Sequence, residues 1–268
     1  MSTGYLGPKM SYSFLATSKM GYNDGVPFKT IFDLFDAVEK GGIDRAVVPV
    51  ENSLEGQVGQ TLDLLFSKDV SIIEEYYLRV VHCIAATDNA DVKIVHSHPQ
   101  ALMQCSNYIE KHGYAVIEET STTAGIEKLF NEQNKGHAVI CSEEAASACK
   151  LTILDRDIGN EHDNFTRFFV ITKKGLAKPQ GDKISIAFTL LNKPGSLASI
   201  VDVLAKYGID MTKIESRPIK FNPFSYIFYI DFIDNGFSKQ AMDEISQKTV
   251  SLKILGKYRK AIGPVMKQ

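Results

Sequence analysis

At 268 residues, 44% of them hydrophobic, the chain is long enough for two domains and apolar enough to give each a core. Thirty Lys and Arg stand against 32 Asp and Glu, a formal net charge of -2, so no global field draws it to nucleic acid or to membrane phosphates. Small neutral or anionic ligands stay open.

From the start to about residue 172, β-rich runs alternate with helix-period segments. TIFDLFDAVEKGG puts apolar residues at 31, 34, 35 and 38, one face of a helix between Thr30 as N-cap and a Gly-Gly stop. RAVVPV (45–50) follows as a buried strand, then VGQTLDLLF as a helix. KIVHS (93–97), AVIE (115–118) and HAVICS (137–142) are further buried strands, separated by the helical PQALMQCSNYIEKHG and TTAGIEKLFNEQ. Repeated βα units predict parallel sheet covered by helices. The polar KKGLAKPQGD (173–182) predicts a linker. Beyond it KISIAFTLL, GSLASIVDVLAKYG, IDMTKIESR, FSYIFYIDFID, FSKQAMDEISQK and VSLKILGKY give the order βαββαβ, a ferredoxin-like unit.

Apolar stretches such as YYLRVVHCIAA carry a charge and fall short of a membrane span. MSTGYLGP has no basic-then-apolar leader, so a cytoplasmic protein is expected, without membrane or nucleic-acid partners. The four cysteines, 83, 105, 141 and 149, form no CxxC and are expected as buried thiols. His96, His98 and Cys105 match no standard metal spacing, and Pro99 starts a helix at once, so the expectation is no metal and no cofactor.

Several strands end in hydroxyl residues where a helix should begin: PKMSYS, ENSLEG, TSTTA and SEEAA. Each one reads alone as an N-cap. Together, at the carboxyl ends of strands, such turns would suit a carboxylate ligand. DNFTRF fits the same rim, and Thr166 and Arg167 should point to opposite faces of the strand they open. Spacing alone equally allows a plain β-branched residue beside an ion-paired surface Arg.

GYLGPKMSYSFLA, VPVENSLEGQV, HSHPQALMQC and DNFTRFFVI, in that order, resemble the signature segments of the prephenate dehydratase family. NKPGSLASIVDVLAKYGIDMTKIESRP resembles the ACT regulatory domain attached to those enzymes, including the ESRP string of its phenylalanine-binding form. The resemblance implies a two-lobed, periplasmic-binding-protein-like catalytic domain over 1–178. One lobe would take about 1–77 with 157–178 and the other 78–156, followed by an ACT domain over 179–268. It also implies loss of carbon dioxide and hydroxide from prephenate, driven by aromatisation, in phenylalanine biosynthesis. Thr166 would be catalytic as a donor to the leaving hydroxyl, and Arg167 would grip a carboxylate. Ser11, Asn52, Ser53, Gly56, Ser121, Thr122 and Phe168 would contact substrate. Met10 departs from the family pattern, which usually has glycine there.

By the same resemblance phenylalanine would inhibit as a feedback effector between subunits of a homodimer or homotetramer. Gly195, Ser196, Leu197, Ala198, Asp210, Glu215, Ser216, Arg217 and Pro218 would touch it. The unit's exposed edges and open sheet face invite such pairing. Two rivals stand beside this reading: arogenate as substrate, and a non-catalytic carboxylate sensor.

Overall fold

Ile31, Leu34, Phe35 and Val38 are all buried on one side of a helix in the computed structural model, which describes residues 1–88, 91–130, 135–219 and 225–262. Thr30 caps that helix by accepting from Asp33 N at 3.0 Å, and Gly41 ends it at φ 78°, where a side chain would be strained. The chain opens with β1 (Thr3–Leu6), α1 (Tyr12–Lys19) and β2 (Val26–Phe28). Then come this helix, α2 (Ile31–Lys40), β3 (Arg45–Asn52), β4 (Gly56–Gln57), α3 (Gly59–Ser67) and β5 (Val70–Arg79). It crosses to a second sheet through β6 (Cys83–Ala86), β7 (Ile94–Ser97), α4 (Pro99–Gln104), α5 (Ser106–His112) and β8 (Ala115–Glu118). That sheet is completed by α6 (Thr122–Leu129), β9 (His137–Cys141), α7 (Glu143–Ala148) and β10 (Thr152–Asp155). β11 (Phe165–Lys173) brings it back. The last unit is β12 (Lys183–Thr189), α8 (Ser196–Lys206), β13 (Met211–Pro218), β14 (Tyr226–Ile233), α9 (Ser238–Lys248) and β15 (Ser251–Tyr258).

The fold is mixed α/β on two sheets, ordered β13-β14-β12-β15-β5-β11-β3-β1-β2, with β4 on β3, and β10-β6-β9-β7-β8. Parallel pairing, expected throughout the first region, holds for β1 with β2 and β3 and for β7 with β8 and β9. The antiparallel pairs β11·β3, β11·β5, β6·β9 and β10·β6 involve the strands that carry the chain between the sheets. β8 was expected to be buried and is not. It is the edge of its sheet and all four of its residues are exposed, Val116 and Ile117 by 48% and 41%. The helical run from Pro99 breaks at Cys105 into α4 and α5. The end of TTAGIEKLFNEQ, 131–133, and residue 224 of FSYIFYIDFID lie outside the described residues.

The last unit keeps the expected βαββαβ order, and one face of its sheet buries Ile186, Phe188, Ile230 and Phe232 under α8 and α9. The other face was expected to be open. Instead Ala187, Ile227, Tyr229, Leu255 and Tyr258 join the core of Leu34, Val48, Leu62, Leu65 and Phe169. α3 is gripped from this face: Tyr229 Oη donates to Leu62 O at 3.0 Å, and Lys253 Nζ reaches Leu65 O and Phe66 O at 2.8 and 3.0 Å. A cation on the last carbonyls of a helix complements its dipole. β15 touches β5 at one register point, Gly256 opposite Ile72, where a Cβ would lie 2.3 Å from Ile72 O. Among the described residues, no helix is long and apolar enough to cross a membrane.

Candidate active site

Where the β1–α1 turn, the end of β3, the start of α6 and the start of β11 converge, they enclose a cavity of about 320 Å³ between the two sheets. That volume is at the small end of ligand pockets, about 300–1,000 Å³. Ser11, Asn52, Ser121, Thr122, Thr166 and Phe168 line it together, joined by Tyr12, His82, His98 and Gln104. Among the described residues that line it there is no Lys or Arg. An anion bound there is met by neutral donors and by helix N-termini. Ser11 caps α1 by accepting from Phe14 N at 3.2 Å, and Ser121 caps α6 by accepting from Ala124 N at 3.0 Å. Both are eight-residue helices whose first-turn amides lack intrahelical partners.

Thr166 sits in a polar chain. Asn52 Nδ2 donates to Thr166 Oγ1 at 3.0 Å and to Asn164 Oδ1 at 2.8 Å. Its Oδ1 accepts from Leu54 N and Glu55 N at 2.9 and 3.1 Å, which fixes the orientation of the amide. The Thr166 oxygen therefore accepts from Asn52, and its own proton is free to face the cavity. Asn164 Nδ2 donates to Gln104 Oε1 at 3.1 Å, while Gln104 Nε2 donates to Glu55 Oε1 at 2.8 Å. With Gln104 so oriented, His82 Nε2, 2.8 Å from Oε1, carries the hydrogen. Burial holds the His82 imidazole below its ordinary pKa, so it is neutral near pH 7 and Nδ1 accepts from the Tyr12 hydroxyl at 2.9 Å. Tyr12 lies 3.0 Å from Val81 O as well, and burial, with Cys141, Cys105 and Cys83 nearby, pushes its phenol well up.

Arg167 is not in this cavity. It was expected to grip a substrate carboxylate, but strand alternation turns it to the other face of β11, where it is 3% exposed. There Nη2 lies 2.7 Å from Glu75 Oε2 and Nη1 lies 2.7 Å from Asp231 Oδ2. Ser53 and Gly56 are also outside the lining. Ser53 Oγ accepts from Phe165 N and donates to Asp163 O, bracing β11, and Gly56 takes φ 79° in the β3–β4 turn. ENSLEG therefore forms a turn into β4, and the helix expected at VGQTLDLLF follows it as α3.

Residues 3–176 match the family described as Prephenate dehydratase. The chain is 41% identical to the prephenate dehydratase of Methanocaldococcus jannaschii over 95% of its own length and 96% of that protein. It belongs to the prephenate dehydratase family. Two solved structures superpose on it at 27% identity. One is prephenate dehydratase from Arthrobacter aurescens in complex with L-Phe (TM-score 0.87, 97% of this chain and 90% of that one). The other is GqqA, described as a quorum quenching acylase (TM-score 0.86, 98% and 99%).

As a member of the prephenate dehydratase family the chain is an enzyme, and its departures from the pattern gain meaning. Met10 has φ 69°, the left-handed region in which glycine is comfortable and a side chain costs about 1–2 kcal/mol. Its side chain packs on the Ile126, Val139 and Ala146 cluster under the second sheet, and Thr123 Oγ1 donates to Lys9 O at 3.1 Å alongside. The first loop is thus a contact with the elements of the second sheet. The histidines have other duties: His98 caps α4, and buried His96 lies between Glu119 at 3.0 Å and His137 at 2.7 Å. Among the described residues no group of three or more His, Cys, Asp or Glu could hold a metal ion. All four cysteines are free; Cys83, Cys105 and Cys141 are buried as expected but Cys149, at the end of α7, is partly exposed, and Cys105 is pushed up to about 12 by burial.

Of the expected effector residues, Gly195, Ser196, Leu197 and Ala198 line a second cavity of about 260 Å³ with Tyr226 and Phe228. Asp210, Glu215, Ser216, Arg217 and Pro218 do not. Arg217 turns from β13 onto α3, bonding Asp63 through Nε at 2.8 Å, and a Cβ on Gly59 would meet it at 2.3 Å. Among the cavity residues that the sequence did not single out are Tyr12, His82 and Gln104. Tyr12 and Gln104 lie inside SYSF and HPQALMQC, and His82 had no motif to mark it.

Proposed function

We propose that the cavity turns prephenate into phenylpyruvate, carbon dioxide and water, with Thr166 as the donor to the departing oxygen. The observation that carries this is the Asn52 amide on Thr166 Oγ1, which leaves the Thr166 proton for a ligand. The ring carboxylate leaves as carbon dioxide and its bonding electrons aromatise the ring. The ring hydroxyl departs as hydroxide held by Thr166, and takes up a proton to become water when the cleft reopens to solvent. A neutral threonine is a weak acid, so its part is to steer that oxygen and stabilise the charge growing on it. The carboxylates sit against the first turns of α1 and α6, around Ser11, Ser121 and Thr122. Closure of the two lobes removes water from this neutral, dipole-lined space.

We further infer that 1–178 is the catalytic part and 179–268 an ACT regulatory part that binds phenylalanine and lowers turnover. The cavity at Gly195–Ala198 would take the amino acid, its ring against Leu197, Tyr226 and Phe228, with the exposed β13 residues of a second copy closing it. Glu215 and Arg217 face inward, leaving Ser216 and Pro218, with Ile214 at 44% exposure, on the free edge of the sheet. Assembly is then homo-oligomeric. The deciding experiment supplies prephenate and arogenate separately, each with and without phenylalanine. Phenylpyruvate from prephenate, suppressed by phenylalanine, is the expected result; turnover of arogenate alone would move the substrate assignment. Binding of prephenate without product would favour the sensor.

A further inference from the structure

The face of β11 that looks away from the cavity bears a device that the sequence did not suggest. Along the β3–β11 pairing Arg167 stands opposite Glu51 and Phe168 opposite Pro49, so Val50 is skipped and the ladder is irregular beside Thr166. Pro49 has no N–H for the ladder, and its carbonyl is taken by Thr61 Oγ1 at 2.6 Å. A bulge of this kind re-aims a side chain and loosens the pairing that would otherwise fix it.

The other side of the strand is held by charge. Arg167 Nε donates to Glu75 Oε2 at 2.9 Å and Nη2 donates to Tyr258 Oη at 3.3 Å. Asp231 Oδ2 sits 2.7 Å from Nη1 without an aligned N–H. Lys183 Nζ bonds Glu75 Oε2 at 3.0 Å, and Ser185 Oγ bonds Asp231 Oδ1 and Tyr258 Oη at 2.5 and 2.6 Å. Lys183, Ser185, Asp231 and Tyr258 all lie on β12, β14 and β15, the carboxyl-terminal part of the sheet that also holds β11. On β3, Lys213 of the same sheet bonds Glu51 Oε2 at 2.8 Å, one residue before the Asn52 that donates to Thr166. The carboxyl-terminal part of the sheet thus grips both strands that carry the reactive hydroxyl, each one residue away from the group that matters.

We propose that Arg167 is a positioning residue: clamped by Glu75, Asp231 and Tyr258, it sets the direction of Thr166 from behind and ties turnover to the seating of the carboxyl-terminal strands. This rests on the reading of Thr166 as the donor. The guanidinium's planar fork serves three partners at once, which a lysine cannot.

The test uses the full chain with Asp231→Asn, which keeps shape and loses charge, and Tyr258→Phe, which loses only a hydroxyl. Steady-state kinetics on prephenate are measured beside thermal melts, with Thr166→Ala as the control. The expected result is that kcat falls about tenfold while KM stays within about twofold, since misdirection of a donor costs turnover and leaves carboxylate binding alone. Arg167→Lys falls further. Both variants folded with wild-type kcat would overturn the proposal, and so would kcat and KM worsening together. If Asp231→Asn does not fold, Tyr258→Phe decides. If Thr166→Ala itself keeps the wild-type rate, the reading of Thr166 has failed and the proposal falls with it. If Thr166→Ala is dead and the two clamp variants keep the wild-type kcat, only the proposal fails.

Discussion

The two faces of β11 treat charge in opposite ways. The cavity face has neutral hydroxyls, amides and helix ends, and no Lys or Arg among the described residues that line it. The buried face packs Arg167 and Lys183 against Glu75 and Asp231 with hardly any water contact. Burial works against the Arg167 charge, but Asp231, Tyr258 and Glu75 more than offset it, and its pKa rises well above the ordinary value. Burial likewise disfavours the Asp231 charge, yet Arg167, Ser185 and Lys183 hold its pKa below the usual value. A fixed ion cluster can hold backbone because nothing has to leave it. A site whose substrate loses one carboxylate and makes a neutral ring gains from dipoles that bind without an equally strong grip on product.

The sharpest way to break this comparison is Thr166→Ala. If Thr166 is the donor, kcat falls about 100-fold or more, within the range of positioned donors, while Thr166→Ser retains most of the rate. Next is Ser121→Ala, read by KM for prephenate. It removes the α6 cap and a cavity hydroxyl, so KM should rise about tenfold or less with kcat little changed, a loss of uniform binding. A matching fall in kcat would instead place Ser121 in the chemistry. A smaller effect is the pH dependence of stability set by His82. Its folded pKa is lowered from 6.5, so the folded protein holds fewer protons than the unfolded chain as the pH falls below that value. The stability it contributes is present above about pH 6.5 and lost as pH falls through the folded pKa. Thermal melts from pH 7 to 5 should therefore drop, and His82→Gln should flatten the slope. The smallest is Met10→Gly. Relief of the positive φ, about 1–2 kcal/mol, opposes the loss of the methionine contact with the Ile126, Val139 and Ala146 cluster, so the melting temperature should change little.

The regular elements were legible wherever burial has a period. Ile31 to Val38 announced α2, and the alternation of the last six segments gave βαββαβ, because each such pattern is local. β8 was misjudged as buried because a short apolar run has the same spelling in the middle of a sheet as at its edge. The opposed directions of Thr166 and Arg167 followed from strand geometry, but which face lines the cavity did not. That depended on carboxyl-terminal strands that cover one side of β11, among them those of Asp231 and Tyr258, which reach Arg167 from 64 and 91 positions away along the chain. His82 was invisible for a related reason: its partners Tyr12 and Gln104 are 70 and 22 positions away, and only the crossing between sheets brings them together.

The most direct measurement is a crystal structure of the protein holding an unreactive prephenate analogue that keeps both carboxylates and the ring hydroxyl. The account predicts that hydroxyl within hydrogen-bond reach of Thr166 Oγ1, carboxylates at the first turns of α1 and α6, and Arg167 still bound to Glu75 and Asp231. Arg167 withdrawn from Glu75 and Asp231 to meet a carboxylate, or the ring hydroxyl turned away from Thr166, would contradict it.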